Sequence, residues 1–325
     1  MVACNSLTSR VGRSATQTRR IIFLIAFLFV GCNPGSPSPV PVPASETPSL
    51  PTATSLPATP TVNPDYAELI QNAEYQLGTT DSPRMVQLTD GKFQEGTAGQ
   101  SDYVSVTLTN FIAAGDLNGD GVDEIAAVVG ENYGGSGTFV FLAIYSNSNG
   151  KLTFQTSAFV GDRPVLSALS IENGEVFLDA ITHDADDPFC CPTMQTHRHF
   201  RLLADNQLKM TDYATFTPDG RPRTITIDAP ASGTQVSNAI QIKGSVAIAP
   251  FENNLVYRVY STGDVELASG SIMVAAGEMG GPGTFDAIIS LGRILSGAVV
   301  RIEIQDISAA DSSLLAMDSV ELVVK

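Results

Sequence analysis

Apolar and polar positions alternate with a period of two along much of the chain, as half-buried strands require. EVFLDAI (175–181) and HFRLL (199–203) show it directly, and GTFVFLAIY (137–145) is apolar enough to be a strand buried on both faces. Asn149-Gly150, Asn173-Gly174 and Asp205-Asn206 supply turn chemistry between such runs. One helical pattern precedes them: Asn63-Pro64-Asp65 can start it, and Tyr66, Leu69, Ile70 and Ala73 fall on one face. Residues 65–223 are therefore predicted to form an antiparallel, β-rich (α+β) meander with one or two helices. The polar stretch Thr217–Arg223 ends it. From Ile225 onward, short alternating strands are broken by turns every eight to twelve residues or so, the rhythm of a β-sandwich. The fold class read from this pattern is mainly β, in two domains, 65–223 and 224–325.

The N-terminus departs from the pattern. Arg10, Arg13, Arg19 and Arg20 precede IIFLIAFLFVG, an apolar run of eleven residues ending at Gly31. That is short for a membrane span and fits the core of a signal peptide, residues 1–31. Phe29-Val30-Gly31-Cys32 resembles a bacterial lipobox, in which a small residue precedes a cysteine that is lipidated and becomes the new N-terminus; Phe29 stands where leucine is usual. The resemblance implies a lipid on Cys32; the alternative is an ordinary secretory signal. Residues 33–64 hold ten of the 19 prolines, mixed with Ser and Thr. Such a segment cannot bury a core and favours extended polyproline II, reaching about 100 Å at about 3.1 Å per residue. Residues 32–64 thus read as a disordered tether. The expected location is outside the cytoplasm, in the cell envelope, held to a membrane through lipidated Cys32.

Charge narrows the partners. Loss of residues 1–31 leaves 14 of the 18 basic residues against all 34 acidic ones. No basic stripe exists for phosphates, so nucleic acid is not an expected partner. An unidentified envelope or extracellular protein, or a glycan, is; the chain has no tryptophan to stack on sugars.

One stretch carries concentrated chemistry: GDLNGDGVDE, residues 115–124, between FIAA (111–114) and IAAVV (125–129). Calcium takes roughly six to eight oxygen ligands. Asp116, Asn118 and Asp120 supply side-chain oxygens at alternate positions, Val122 a backbone carbonyl and Glu124 a carboxylate, while Gly119 and Gly121 permit the turn. An EF-hand would need an acid at its twelfth position, which is Ala127. The loop resembles the shorter calcium loop of integrin-like FG-GAP repeats, which implies a structural calcium. Those repeats come several per chain, and one copy does not imply a propeller. The alternative is a hairpin turn held by Asx hydrogen bonds without metal.

The second constellation is HDADDPFCCPT, residues 183–193, with His197 and His199 nearby. A soft-metal site could use His183, His197 or His199 with a thiolate, although the spacing matches no standard zinc finger. In an oxidising compartment Cys190 and Cys191 can pair as a vicinal disulfide, against free thiols or intermolecular bridges. A redox enzyme would more usually show Cys-x-x-Cys. His197 and His199 share one face of a predicted strand.

GDLNGDGVDE, GGSGTF (134–139), GDRP (161–164) and DPFCCPT (187–193) together resemble a recurrent domain of uncharacterised bacterial lipoproteins, which implies no activity. In the C-terminal part, Ala229-Pro230, Gly233, Val236, Ile242–Gly244, PFENNL (250–255), GTFDAIISL (283–291) and DSVELVV (318–324) resemble the immunoglobulin-like domain first named from bacterial spore germination proteins. That implies an immunoglobulin-like sandwich, without a role in germination; Glu252 would anchor a loop or touch a partner. No HExxH or GxSxG pattern appears. The expected function is non-catalytic: adhesion, envelope interaction or ligand binding. Two alternatives stand: an extracellular metal-dependent hydrolase with a site near the acidic loop and His183, and a redox sensor using Cys190 and Cys191.

Overall fold

The computed structural model describes residues 64–79, 83–203, 205–291, 294 and 296–325. The predicted signal peptide, Cys32 and nearly all of the predicted tether lie outside the described residues. The described chain is mainly β, as the alternation predicts, with antiparallel sheets.

Helix α1 (Pro64–Gln71) comes first, followed by the small hairpin of β1 (Glu74–Gln76) and β2 (Met85–Gln87). A five-stranded meander continues: β3 (Lys92–Glu95), β4 (Val104–Gly115), β5 (Glu124–Asn132), β6 (Phe139–Ser148) and β7 (Lys151–Asp162). Both faces of this sheet are covered, so every residue from Glu124 to Glu131 is buried. Ile125, Ala127, Val129, Ala143 and Tyr145 pack with Ile70, Tyr75 and Leu88 of the helix-and-hairpin layer. Ala126, Val128, Leu142 and Ile144 pack on the opposite side. This two-sided burial explains why the β6 sequence is a continuous apolar run.

The layer on that opposite side begins with β8 (Val165–Glu172), β9 (Glu175–Thr182), β10 (Met194–Leu202) and β11 (Leu208–Thr215). Leu169, Val176, Leu178, Ala180, Phe200 and Leu208 supply its core face. Past the Thr217–Arg223 turn come β12 (Ile225–Ala229), β13 (Gln235–Val236), β14 (Ala239–Val246), β15 (Asn254–Ser261), β16 (Glu266–Met273), β17 (Ala275–Ala276), β18 (Gly283–Ser290), β19 (Val299–Ile307) and β20 (Leu314–Val324). Four of them form a sheet in the order β12-β14-β18-β17. The others join a sheet that continues into the first half, in the order β16-β15-β19-β20-β11-β10-β9-β8, with β13 alongside β20.

The two halves of that long sheet are covered on opposite faces. His199 stands opposite Asp212, Asp212 opposite Asp318, and Asp318 opposite Ile304, so these four share one face. On the C-terminal side that face is the sandwich core, where Ile302, Ile304, Ala316 and Val320 pack with Ile240, Ile242 and Phe285. On the N-terminal side the core is the other face, marked by Phe200 and Leu178. No sheet covers Glu175, Phe177, Asp179, His197, His199 and Arg201 among the described residues. All six are partly exposed, beside the step where the sandwich begins.

The PFENNL stretch is a single 3-10 turn over Phe251–Asn253 leading into β15. Glu252 and Asn253 both have φ of 55°, and Phe251 is exposed. Two successive non-glycine residues in the left-handed region are uncommon.

Candidate functional site

The acidic loop is the tip of the β4–β5 hairpin, and its oxygens face its own backbone. Asp116 Oδ1 accepts from Gly119 N at 2.7 Å and its Oδ2 from Gly121 N at 2.9 Å. Asn118 Oδ1 accepts from Asp120 N, and Asp120 Oδ1 from Val122 N. Glu124, only 2 % exposed, accepts from Leu117 N at 3.0 Å and Asn118 Nδ2 at 2.9 Å. Gly119 and Gly121 have φ of 81° and 83°, the left-handed conformation that the ladder of Asx turns needs. The N–H groups of the loop, Gly121 first, hold the Asp116 carboxyl below its usual range. Burial pushes Glu124 up, and Asp120 and Asp116 add like charge. Among the described residues no group of three or more His, Cys, Asp or Glu is arranged to hold a metal ion. Side chains aimed at the hairpin's own N–H groups fit a calcium only with their remaining lone pairs.

The loop over 183–193 is stapled by Asp187. Its Oδ2 accepts from Asp184 N at 2.8 Å and Thr193 N at 2.7 Å, and its Oδ1 from the Thr193 hydroxyl. These bonds, the one from Asp184 foremost, keep Asp187 below the usual carboxylate range. Cys190 and Cys191 are bonded to each other, with Cα atoms 3.8 Å apart. Phe189 beside them is 79 % exposed, with the Arg163 guanidinium 5.7 Å from its ring centre.

The two loops do not share a site. The turn at Asn173-Gly174, which opens β9, lies against the Asp116 and Leu117 carbonyls. His183 follows Thr182 at the other end of the same strand. Eight residues at about 3.3 Å each separate them by roughly 25 Å. The alternative of a hydrolase site near both the acidic loop and His183 therefore finds no single site in the fold.

Two polar groupings lie outside the two loops, the first without a sequence signal of its own. Glu131, fully buried at the end of β5, accepts from the Tyr75 hydroxyl (2.6 Å), Gly78 N (2.7 Å), the Thr79 hydroxyl (2.9 Å) and the Tyr133 hydroxyl (2.7 Å). Burial, aided by the Glu131 charge, keeps Tyr75 protonated, and Tyr133 is pushed up to about 12, chiefly by burial. The network ties the β1–β2 hairpin to the main sheet.

The other grouping is the uncovered face at the step. Asp179 and His197 are paired side chain to side chain, and Phe216 packs edge-on against the His197 ring with centroids 4.8 Å apart. His199 packs on Phe177 at 4.3 Å and stands 3.9 Å from Asp212, too far for a hydrogen bond. Arg201 lies 3.6 Å from Glu175. A cavity of about 250 Å³ opens here, lined by Glu175, His199, Arg201, Asp212, Ser232 and Asp318 among others. Burial, reinforced by the Asp318 charge, pushes Asp212 up to about 7. Burial also lifts Asp318 to about 6, although its carboxylate accepts from Ile227 N and Ser319 N. The bond to Asp179 raises His197; burial lowers His199. The i, i+2 spacing of 175/177/179 and 197/199/201 was visible in the sequence, but the pairing that brings Asp212 and Asp318 beside them was not.

No described helix is long and apolar enough to cross a membrane. A comparison with curated proteins finds no match. The family model for the immunoglobulin-like domain of bacterial spore germination matches residues 224–313. The match stops short of the N-terminal half and lends no support to an FG-GAP-like reading of residues 115–124. Residues 224–313 are thus similar to a germination-type immunoglobulin-like domain, which supports a binding or structural role.

Proposed function

We propose that this chain is an exported, non-catalytic envelope protein, tethered by a lipid on Cys32 and a proline-rich spacer, that binds an envelope or extracellular protein or glycan. The observation that carries the reading is the similarity of residues 224–313 to an immunoglobulin-like module, joined by a continuous sheet to a first half with an open polar face. The binding face is the open row of Asp179, His197, Phe177 and His199. The test is co-sedimentation with isolated envelope fragments. Saturable binding is expected, reduced about tenfold when Asp179 and His197 are both changed to alanine; loss of one buried aromatic or charged anchor at an interface has an effect of that order. Binding unaffected by the double change, or none at all, overturns the assignment. In cells, Cys32→Ala is expected to move the protein from the membrane fraction to the soluble one, and unchanged fractionation would remove the lipid from the reading.

A structural calcium in the Asp116–Glu124 loop is a second reading. What favours it is the like charge that Asp120 and Asp116 place on buried Glu124, which a cation would relieve. With an affinity of about 0.1–1 mM, about 10 mM calcium would raise the melting temperature by roughly 5 °C. Asp120→Ala would abolish the rise. An unchanged melting curve would leave the loop a plain Asx-turn hairpin.

A further inference from the structure

The two halves meet through one strand pairing among the described residues, and it is short. β11 is bonded to β20 over Asp212↔Asp318, Tyr213↔Met317 and Ala214↔Ala316 only. One of its three rungs sets two carboxylates directly opposite each other on one face. Directly opposed side chains in an antiparallel pair stand about 5 Å apart, and like charges there are destabilising. Neither carboxylate has a lysine or arginine partner among the described residues, and only the histidines His199 and His197 can place positive charge near Asp212. Arg201 on β10 faces Glu175 of β9, and His197 faces Asp179 of β9. His199 of β10 is 3.9 Å from Asp212, and Asp228 of β12 adds a further negative charge beside Asp318. Ile304 of β19 continues the row without charge. Asp318 is oriented by backbone, through Ile227 N and Ser319 N, and cannot turn away without giving up both bonds.

We propose that Asp212 and Asp318 form a proton-operated joint between the two halves: with one of the two carboxyls protonated β11 stays paired to β20, and when that proton is lost the like charges push the strands apart. The remaining ties limit the opening to this seam. They are the Thr215 hydroxyl on the Leu315 carbonyl, the Ser319 hydroxyl on the Thr211 carbonyl, and the Lys209–Asp264 ion pair.

The direction follows from the shifts. Both acids take up protons more readily folded than unfolded, Asp212 near 7 and Asp318 near 6, so the stability they contribute is complete in acid and lost as pH rises through 6 to 7. His197, raised by Asp179, acts in the same sense. His199, lowered by burial, acts oppositely, since its contribution is lost as pH falls. Between about pH 6.5 and 8.5, above the range of the lowered His199, the acid pair and the raised His197 act in the same sense, and Asp212→Asn separates the pair from His197.

The test is amide hydrogen exchange of the full chain across that window, corrected for the intrinsic pH dependence. Protection of residues 208–215 and 314–320 is expected to fall about tenfold relative to β5 and β6, one power of ten for each proton bound per pH unit. Asp212→Asn keeps the size of the side chain and removes its charge, and it is expected to abolish the difference. Equal behaviour of the seam and of β5 and β6 in the wild type, or the same fall in Asp212→Asn, overturns the joint. Should the variant fail to fold, carboxyl-carbon titration of the wild type decides alone: both aspartates fully ionised by pH 5 would sink the proposal.

Discussion

Glu131→Ala is expected to cost about 4 kcal/mol and to lower the melting temperature by roughly 10 °C, the largest loss from any single polar substitution in the first half. The carboxylate accepts four bonds, from two tyrosine hydroxyls, a threonine hydroxyl and a backbone N–H. Alanine leaves the buried Tyr75 hydroxyl without that acceptor, and an unsatisfied buried donor costs about 1–3 kcal/mol. Gly78 N loses its carboxylate partner as well, so the β1–β2 hairpin should loosen with the melt. Glu131→Gln separates charge from geometry. It keeps one acceptor oxygen for Tyr75 and Gly78 and presents an amide to the Thr79 and Tyr133 hydroxyls, which can rotate to accept. It should cost about half as much. Thermal unfolding of the three proteins checks this; an alanine variant within about 1 kcal/mol of the wild type would mean that the hairpin holds without the network.

Gly244→Ala is the second large effect, about 3 kcal/mol or more, and it falls on the C-terminal half. Gly244 lies in β14, opposite Ile227 of β12 and Phe285 of β18. A methyl group there would sit against the Thr226 carbonyl oxygen and inside the Phe285 ring. The ring can turn only at the expense of a core in which Phe285 is 3 % exposed, and the carbonyl belongs to the paired strand. The glycine of Ile242–Gly244, read as part of a family pattern, thus has a steric reason. Gly263→Ala is the control, because nothing lies within 4 Å of its added methyl. Near-ultraviolet dichroism and melting should show the first variant altered and the second unchanged, and two unchanged variants would refute the close approach of β12 and β14.

The local features were legible because their causes are local. Asn149, Asn173 and Asn206 all adopt positive φ, as turn chemistry at those positions requires. β6 showed in its apolar run, since burial on both faces leaves no alternation to hide it. The acidic loop was legible as a tight turn rich in oxygen, but the same spacing serves a cation or an Asx ladder, and the sequence does not distinguish lone pairs given to metal from those given to N–H. The open face was half legible: the partners of His197 and His199 on β9 follow from a nearby hairpin. The Asp212↔Asp318 rung joins residues more than a hundred positions apart, and neither strand carries a local mark of the other. Glu131 was hidden for the same reason, as its partners near Tyr75 lie over fifty residues away.

The shared long sheet also bears on how the chain can be divided. An isolated sandwich module normally ends in a finished rim, and here the β11–β20 pairing leaves none. A chain stopped at Arg223 would present β11 with bare N–H and C=O groups, and a chain begun at Thr224 would present the matching stretch of β20. Each fragment carries a template for capturing another strand, so separately expressed halves should precipitate or pair with copies of themselves. Mixed together, they should instead find each other, because the missing neighbour of each is the other.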